Sequence, residues 1–146
     1  MSIDTDPTIP EKVASESLNG AAIATFASLR AKPRRTVTFP VNTVDEDGEE
    51  VVVLMKYRAL PSKGYDELIE AHPPTSEQKK TGQIYNIDTF APALIAAVSY
   101  EPVLSVDEAK EIYTSPDWSG GELTTLFIKA MQVCNAGLDI PFNARD

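Results

Sequence analysis

The chain has 146 residues, of which 42% are hydrophobic and 24% are charged, a composition typical of one folded domain. Its net charge of -9 argues against a nucleic-acid partner, because phosphate binding requires clustered lysine and arginine. A single cysteine excludes an intrachain disulfide and a cysteine-based metal cage, and no apolar run approaches the roughly 18 residues that a membrane span requires.

The N-terminal part of the chain carries few apolar residues and only weak helical signals. Residues 1–14 contain prolines and acids, and we expect a flexible tail that does not resemble a signal peptide. From Ser15 to Pro33 the sequence predicts a weak helix with an apolar stripe at helical spacing. The stripe consists of Leu18, Ala22, Phe26 and Leu29. A short basic cluster within residues 30–35 is better explained as a solvated linker than as a phosphate site.

Two β-branched segments predict a β-hairpin, with strands near residues 36–41 and 50–58. An Asp-Gly pair between them is a tight-turn signal. Pro40 has no amide hydrogen to donate, so the first strand is expected at a sheet edge. A lone hairpin is marginally stable in water, and this one must therefore pack on helices or join further strands.

After Pro61 the apolar periodicity becomes helical and predicts at least four helices. Ser62 is expected to cap the first helix, and Thr75 a short second one. Thr89 is expected to cap a nearly all-apolar central helix that has Pro92 in its first turn. Capping boxes then begin two more helices, at Ser105 and Ser119.

These elements predict an α+β fold, in which an N-terminal β-hairpin (about residues 36–58) packs on a mainly helical C-terminal half. We expect a single domain over residues 15–136, between the tail 1–14 and a C-terminal tail 137–146 that begins at a helix-stopping Gly137. The central and last helices should bury their apolar faces together. The residues expected in this core are Leu94, Ile95, Val98, Leu126, Phe127 and Met131.

No set of residues in the sequence has the pattern of a catalytic, cofactor or metal site, and we expect a protein that is not an enzyme. His72 is the only histidine, follows no nucleophile motif, and is best explained by local packing at a helix end. Cys134 closes an apolar helical stripe and is expected to be a small core residue. The acidic run 45–50 fails the ligand spacing of a calcium loop, and Gly120-Gly121 lacks the lysine of a phosphate loop.

Three apolar residues are candidates for binding a partner. Trp118 either anchors a partner or staples the chain to the helix that Ser119 caps. Ile140 and Phe142 belong to the apolar tail Leu138–Phe142, which either folds back on the core or docks elsewhere. The residue types leave both alternatives open in each case.

Three segments, Leu68–Thr75, Tyr85–Ile95 and Ser115–Ser119, carry a His-Pro-Pro-Thr step, an Asn-x-Asp-Thr-Phe-x-Pro step and a Pro-x-Trp-Ser step in this order. In order and spacing they resemble the tail assembly chaperones of long-tailed bacteriophages of actinobacteria, in the form encoded upstream of the tape measure protein. The resemblance covers about residues 35–135. It identifies no individual binding residue, because the matching motifs look structural.

The resemblance implies a protein that binds and solubilises the phage tape measure protein and helps to recruit tail tube subunits. Its implied partners are the tape measure protein, the tail tube protein and a longer form of itself made by ribosomal frameshifting, with a homo-oligomer left open. It implies a location in the host cytoplasm, absence from the mature virion, and no nucleic-acid or membrane partner. The alternative is a structural virion component, such as a tail tube or head-tail joining protein.

Overall fold

The computed structural model describes residues 20–135, and the chain divides into two compact units, residues 1–33 and 34–146. The first unit contains one described helix, α1 (Phe26–Arg30). In chain order, the second contains β1 (Thr36–Val44), β2 (Glu50–Arg58), α2 (Ser62–Glu70), α3 (Ser76–Lys80), α4 (Ile87–Val98), β3 (Ser99–Glu101), α5 (Val106–Tyr113) and α6 (Gly120–Asn135). The predicted α+β class is confirmed, since the sheet lies early in the chain and the helices lie mostly after it.

The helix expected from Ser15 is much shorter in its described part. Residues 20–25 are not helical, and the helix of the described part begins at Phe26, where Thr25 and Ser28 form a capping box. Gly20 has a φ of 89°, a left-handed conformation that does not belong to a helix. Phe26 and Leu29 are exposed, so the expected apolar stripe is not buried. Leu18, like the predicted tail 1–14, lies outside the described residues.

The predicted hairpin is present, with β2 at its predicted position and β1 three residues longer than predicted, ending at Val44 instead of residue 41. Arg35 pairs with Ala59 and Asp45 with Glu49 through backbone hydrogen bonds of 2.8 and 2.9 Å, which places the odd-numbered residues of β1 in hydrogen-bonded pairs with β2. Pro40 is even-numbered, so the missing amide hydrogen would have faced the free edge of the sheet. The expectation of an edge strand is confirmed by the strand order β1-β2-β3.

The sheet has a third strand that the sequence did not predict. β3 follows α4 without a loop and pairs antiparallel with the base of β2, where Tyr57 lies opposite Ser99. Its three residues are too few for an alternating pattern, and they directly follow an apolar run that reads as helix. The hairpin is therefore stabilised in both of the expected ways, because it pairs with a third strand and packs on helices.

Three of the predicted helix starts are confirmed and two are wrong. Thr75, Ser105 and Ser119 each accept a hydrogen bond from the amide three residues on, as a capping box requires. Ser62 is instead the first helical residue of α2, and its N-cap is Pro61, which makes no side-chain capping bond.

The N-cap of the central helix α4 lies three residues before the predicted Thr89. Asn86 is its N-cap, and the Asn86 side chain accepts a hydrogen bond from the Asp88 amide at 3.1 Å. Asparagine is as good a cap as threonine, and it comes first in the chain. Pro92 is consequently in the second turn, where its missing amide hydrogen removes one bond of the helix.

The core lies between the inner face of the sheet and helices α4 and α6. Leu94, Ile95, Val98 and Leu126 are buried together as predicted. Phe127 and Met131 are only partly buried and pack against the edge of this core. The prediction missed Phe90, which is fully buried at the centre of an aromatic cluster. The rings around it belong to Tyr65, His72, Tyr85 and Phe127.

A candidate partner-binding groove

An apolar groove of about 730 Å³ lies between α2, α4 and the start of α5. Its floor is formed by three alanines of α4, Ala93, Ala96 and Ala97. Leu68 on α2 and Val106 on α5 also line it. Ala97 is exposed while its neighbours in α4 are buried, so the floor opens to solvent at this residue.

The groove results from small side chains on one face of the central helix α4. α4 packs against α2, α5 and α6, and its large residues Phe90, Leu94 and Ile95 are buried in the core. Its alanines occupy the remaining surface, where they leave room above the helix backbone. An apolar channel of this kind, between helices, is a common place for a partner helix or an elongated apolar ligand to bind.

The lining of the groove is nearly uncharged. It contains no acid, and its basic side chains are Lys110 and His72, although the whole chain carries a net charge of -9. Val106 is 46% exposed and Leu104 is partly buried, so apolar surface continues from the floor to the rim. This lining suits an apolar stripe on a partner better than a polar or phosphorylated ligand.

His72 lies at one end of the groove, where its contacts are local. Its Nδ1 lies 2.9 Å from the Thr89 hydroxyl, and its ring meets the edge of Phe90 at a centroid distance of 6.2 Å. The His72 backbone carbonyl accepts a hydrogen bond from the Asn86 amide at 2.8 Å. His72 thus fastens the end of α2 to the start of α4, as the local-packing interpretation expects.

Trp118 lies outside the groove. It is half-buried against the core and precedes the Ser119–Glu122 capping box, in which Glu122 Oε1 accepts from the Ser119 amide at 2.8 Å. It also lines a second cleft, of about 740 Å³, with the far end of the hairpin. This position is consistent with a staple to α6, and it leaves part of the ring available. Ile140 and Phe142, the other two candidates, lie outside the described residues, as does Gly137.

The remaining motifs have structural explanations. One oxygen of the Asp45 carboxylate accepts hydrogen bonds from the Asp47 and Glu49 amides, both at 2.9 Å, and Gly48 has a φ of 82°, so the acidic run forms the hairpin turn. Cys134 is half-buried on α6, and burial raises the pKa of its thiol, which keeps it protonated at neutral pH. Within residues 20–135, no three His, Cys, Asp or Glu side chains are grouped to hold a metal ion.

No helix among the described residues is long and apolar enough to cross a membrane. No protein family matches the chain, and neither a curated protein nor a solved structure shows a significant similarity to it. An apolar groove between helices was expected, but the sequence did not predict which residues line it. The signal was present as alanines at positions 93, 96 and 97 of one helix, but only the packing of α2 and α5 decides which helix face they line.

Proposed function

We propose that this protein is a tail assembly chaperone, which binds the tape measure protein of its phage and keeps it soluble until tail tube subunits enclose it. The structural observation that carries the proposal is the apolar groove over Ala93, Ala96 and Ala97. The three motif segments of the sequence, in their order, supply the identity of the partner. The groove supplies a surface on which such a partner could dock.

A tape measure protein is long and helical, and an amphipathic helix exposes an apolar stripe until a partner covers it. Large exposed apolar patches drive aggregation. A shallow groove between helices receives such a stripe through side chains at positions i, i+3, i+4 and i+7. Each contact would be weak and repeated along the client, since tube subunits must later displace the chaperone. The net charge of -9 keeps the chaperone itself soluble meanwhile.

The experiment is co-expression of the chain with the tape measure protein of the same phage, followed by pull-down. Ala97→Arg places a charge on the exposed floor of the groove without entering the core. Thr124→Arg adds the same charge to an exposed position of α6, outside the groove, and is the matched control. We expect wild type and Thr124→Arg to keep the client soluble, and Ala97→Arg to lower client recovery on the order of tenfold.

Apolar contacts should dominate this complex, so raising the salt from about 0.1 M to about 1 M should weaken it little. Thermal unfolding of both variants checks that the fold is intact. Equal client recovery with Ala97→Arg and Thr124→Arg would remove the groove from the proposal. Failure of wild type to bind at either salt concentration would remove the chaperone function itself.

The second candidate is a structural virion component, and its test is the composition of purified virions. A chaperone of this kind is absent from them, whereas a tail tube or joining protein is present in many copies. The gene offers an independent check. A slippery heptamer shortly before the stop codon and a very long downstream reading frame would favour the chaperone.

A further inference from the structure

The hairpin presents an apolar face to solvent, on the side away from the core. Side chains alternate along a strand, so the even-numbered residues of β1 and β2 form one face, which we call the outer hairpin face. Three of its apolar side chains are largely exposed, namely Val44 at 57%, Val52 at 63% and Leu54 at 66%. Val44 and Val52 also belong to the lining of the cleft that contains Trp118, whereas Leu54 does not. Pro40 lies beside Leu54 and completes the patch.

The free edge of β1 is poorly suited to binding a partner strand, so the outer hairpin face is the better candidate for a binding surface. Pro40 lies in the middle of β1 and has no amide hydrogen, so a strand added to this edge would lack a central hydrogen bond. The outer hairpin face carries no such obstacle. Its apolar centre is flanked by charged ends, which is the layout of many protein interfaces.

The two ends of the outer hairpin face carry opposite charge. At the base, Lys56 and Arg58 both lie near the Tyr100 ring, at 5.9 and 4.3 Å from its centroid, and Arg34 and Arg35 lie just before β1. At the tip, five acids fall within residues 45–50 with no basic residue between them. Nine residues of strand separate the two ends by about 30 Å, far more than a Debye length of about 10 Å. Within one molecule the two ends therefore do not compensate one another. Lys56 is paired locally with Glu101 at 3.3 Å, so the arginines supply the net positive charge of the base.

We propose that the outer hairpin face binds the same face of a second copy of this chain, with the two hairpins antiparallel. A two-fold axis between Leu54 and Leu54 of the second copy brings the acidic tip of each hairpin over the basic base of the other. Glu50 then faces Arg58 of the second copy, and Val44 faces Thr36 of the second copy. The apolar centre supplies the attraction, and the charges select the antiparallel orientation, because the parallel one sets acid against acid.

The size of the face indicates a weak dimer. A two-stranded ribbon about 30 Å long and about 10 Å wide offers roughly 300 Å² per partner, well below the roughly 800 Å² of a standard interface. We therefore expect monomers in dilute solution and dimers as the concentration rises. This proposal does not rest on the chaperone function, because it concerns the purified chain alone.

The first test is sedimentation equilibrium of the full chain from about 10 µM to about 1 mM, a range that reports weak association. The mean mass of wild type should rise towards twice the monomer mass, and Leu54→Lys should abolish the rise. Ile84→Lys is the matched control, since Ile84 is 69% exposed and lies outside the hairpin. A wild-type monomer at every concentration would overturn the proposal. If Leu54→Lys then also failed to keep the client soluble, the face would belong to the client instead.

The second test fixes the orientation by cross-linking, in a Cys134→Ala background. Thr36→Cys and Val44→Cys leave every charge in place, and a bis-maleimide with a spacer of about 8 Å suits sheets packed about 10 Å apart. We expect cross-linked dimers when the two variants are mixed, and none with either alone, since like positions lie about 26 Å apart in the antiparallel dimer. Self-linking of Thr36→Cys, or a dimer that survives Leu54→Lys, would contradict the proposed arrangement.

Discussion

The Tyr57 hydroxyl donates a hydrogen bond of 3.1 Å to the backbone carbonyl of Leu126, a residue 69 positions further along the chain. Tyr57 lies in β2 and Leu126 in α6, and both are buried. The bond therefore joins the sheet to the last helix inside the core. Phe39 packs edge-on against the Tyr57 ring at a centroid distance of 4.8 Å, which holds the ring in place.

Tyr57→Phe should destabilise the fold by about 0.5–1.5 kcal/mol, because it removes one buried hydrogen bond and keeps the ring. Tyr100→Phe is the control, since Tyr100 is 39% exposed on the other side of the sheet. Urea unfolding followed by far-UV circular dichroism measures both. Equal free energies of unfolding for wild type and Tyr57→Phe would show that the bond contributes nothing.

Stability should fall at alkaline pH. Burial raises the pKa of Tyr57 above its ordinary value of 10.0, and it also raises the pKa of Tyr65 and Tyr113. The unfolded chain then releases these protons first, so stability that is complete below about pH 10 is lost as pH rises towards the folded pKa values. Urea midpoints at about pH 7 and about pH 10.5 measure this, and Tyr57→Phe should show a smaller loss than wild type. An unchanged loss would assign the effect to other groups.

Truncating a residue at the buried centre of the core should lower the free energy of unfolding more than truncating one at its edge. Leu94→Ala should cost about 2–5 kcal/mol, because Leu94 is fully buried between the sheet and α6. Phe127→Ala should cost less than truncation of the fully buried Phe90, since Phe127 is only partly buried. Chemical denaturation of the three variants tests this order. A loss below about 0.5 kcal/mol for Leu94→Ala would place the core elsewhere.

The start of α4 can be tested with two neighbouring substitutions. Asn86→Ala removes the N-cap and should cost about 0.5–2 kcal/mol. It also removes the acceptor of the Gln78 side chain, which donates to Asn86 Oδ1 at 3.1 Å. Thr89→Ala removes only a contact with His72 and a weak bond to the Asn86 carbonyl, so its cost should be smaller. Thermal unfolding compares them, and the reverse order would return the cap to Thr89.

His72→Ala should lower client binding far less than Ala97→Arg. His72 lines only one end of the groove, and its imidazole is engaged in holding α2 to α4. The loss of that contact should lower stability by about 1 kcal/mol. Client solubility in co-expression and thermal unfolding are measured on the same protein. Loss of client solubility at unchanged stability would contradict the structural role of His72 and would assign it a direct contact with the client in the groove.

Much of the fold followed from short-range patterns. The hairpin was predicted from alternation and an Asp-Gly turn signal, and the capping boxes at Ser105 and Ser119 were predicted from serine placed three residues before glutamate. The start of α4 was misplaced because Asn86 and Thr89 are both good caps, and local preference alone does not choose between them. β3 was missed because three residues hold too little pattern.

The sequence by itself determined the α+β class, the edge position of β1 and most helix ends, because each depends on residues within about four positions of one another. Only the tertiary structure decided which side of an apolar segment is buried. It leaves Val52 and Leu54 exposed while Met55 and Tyr57 are buried, and it opens a groove over Ala97 on a helix that reads as apolar all round. Burial depends on contacts such as that of Tyr57 with Leu126, and these join residues whose separation no local pattern records.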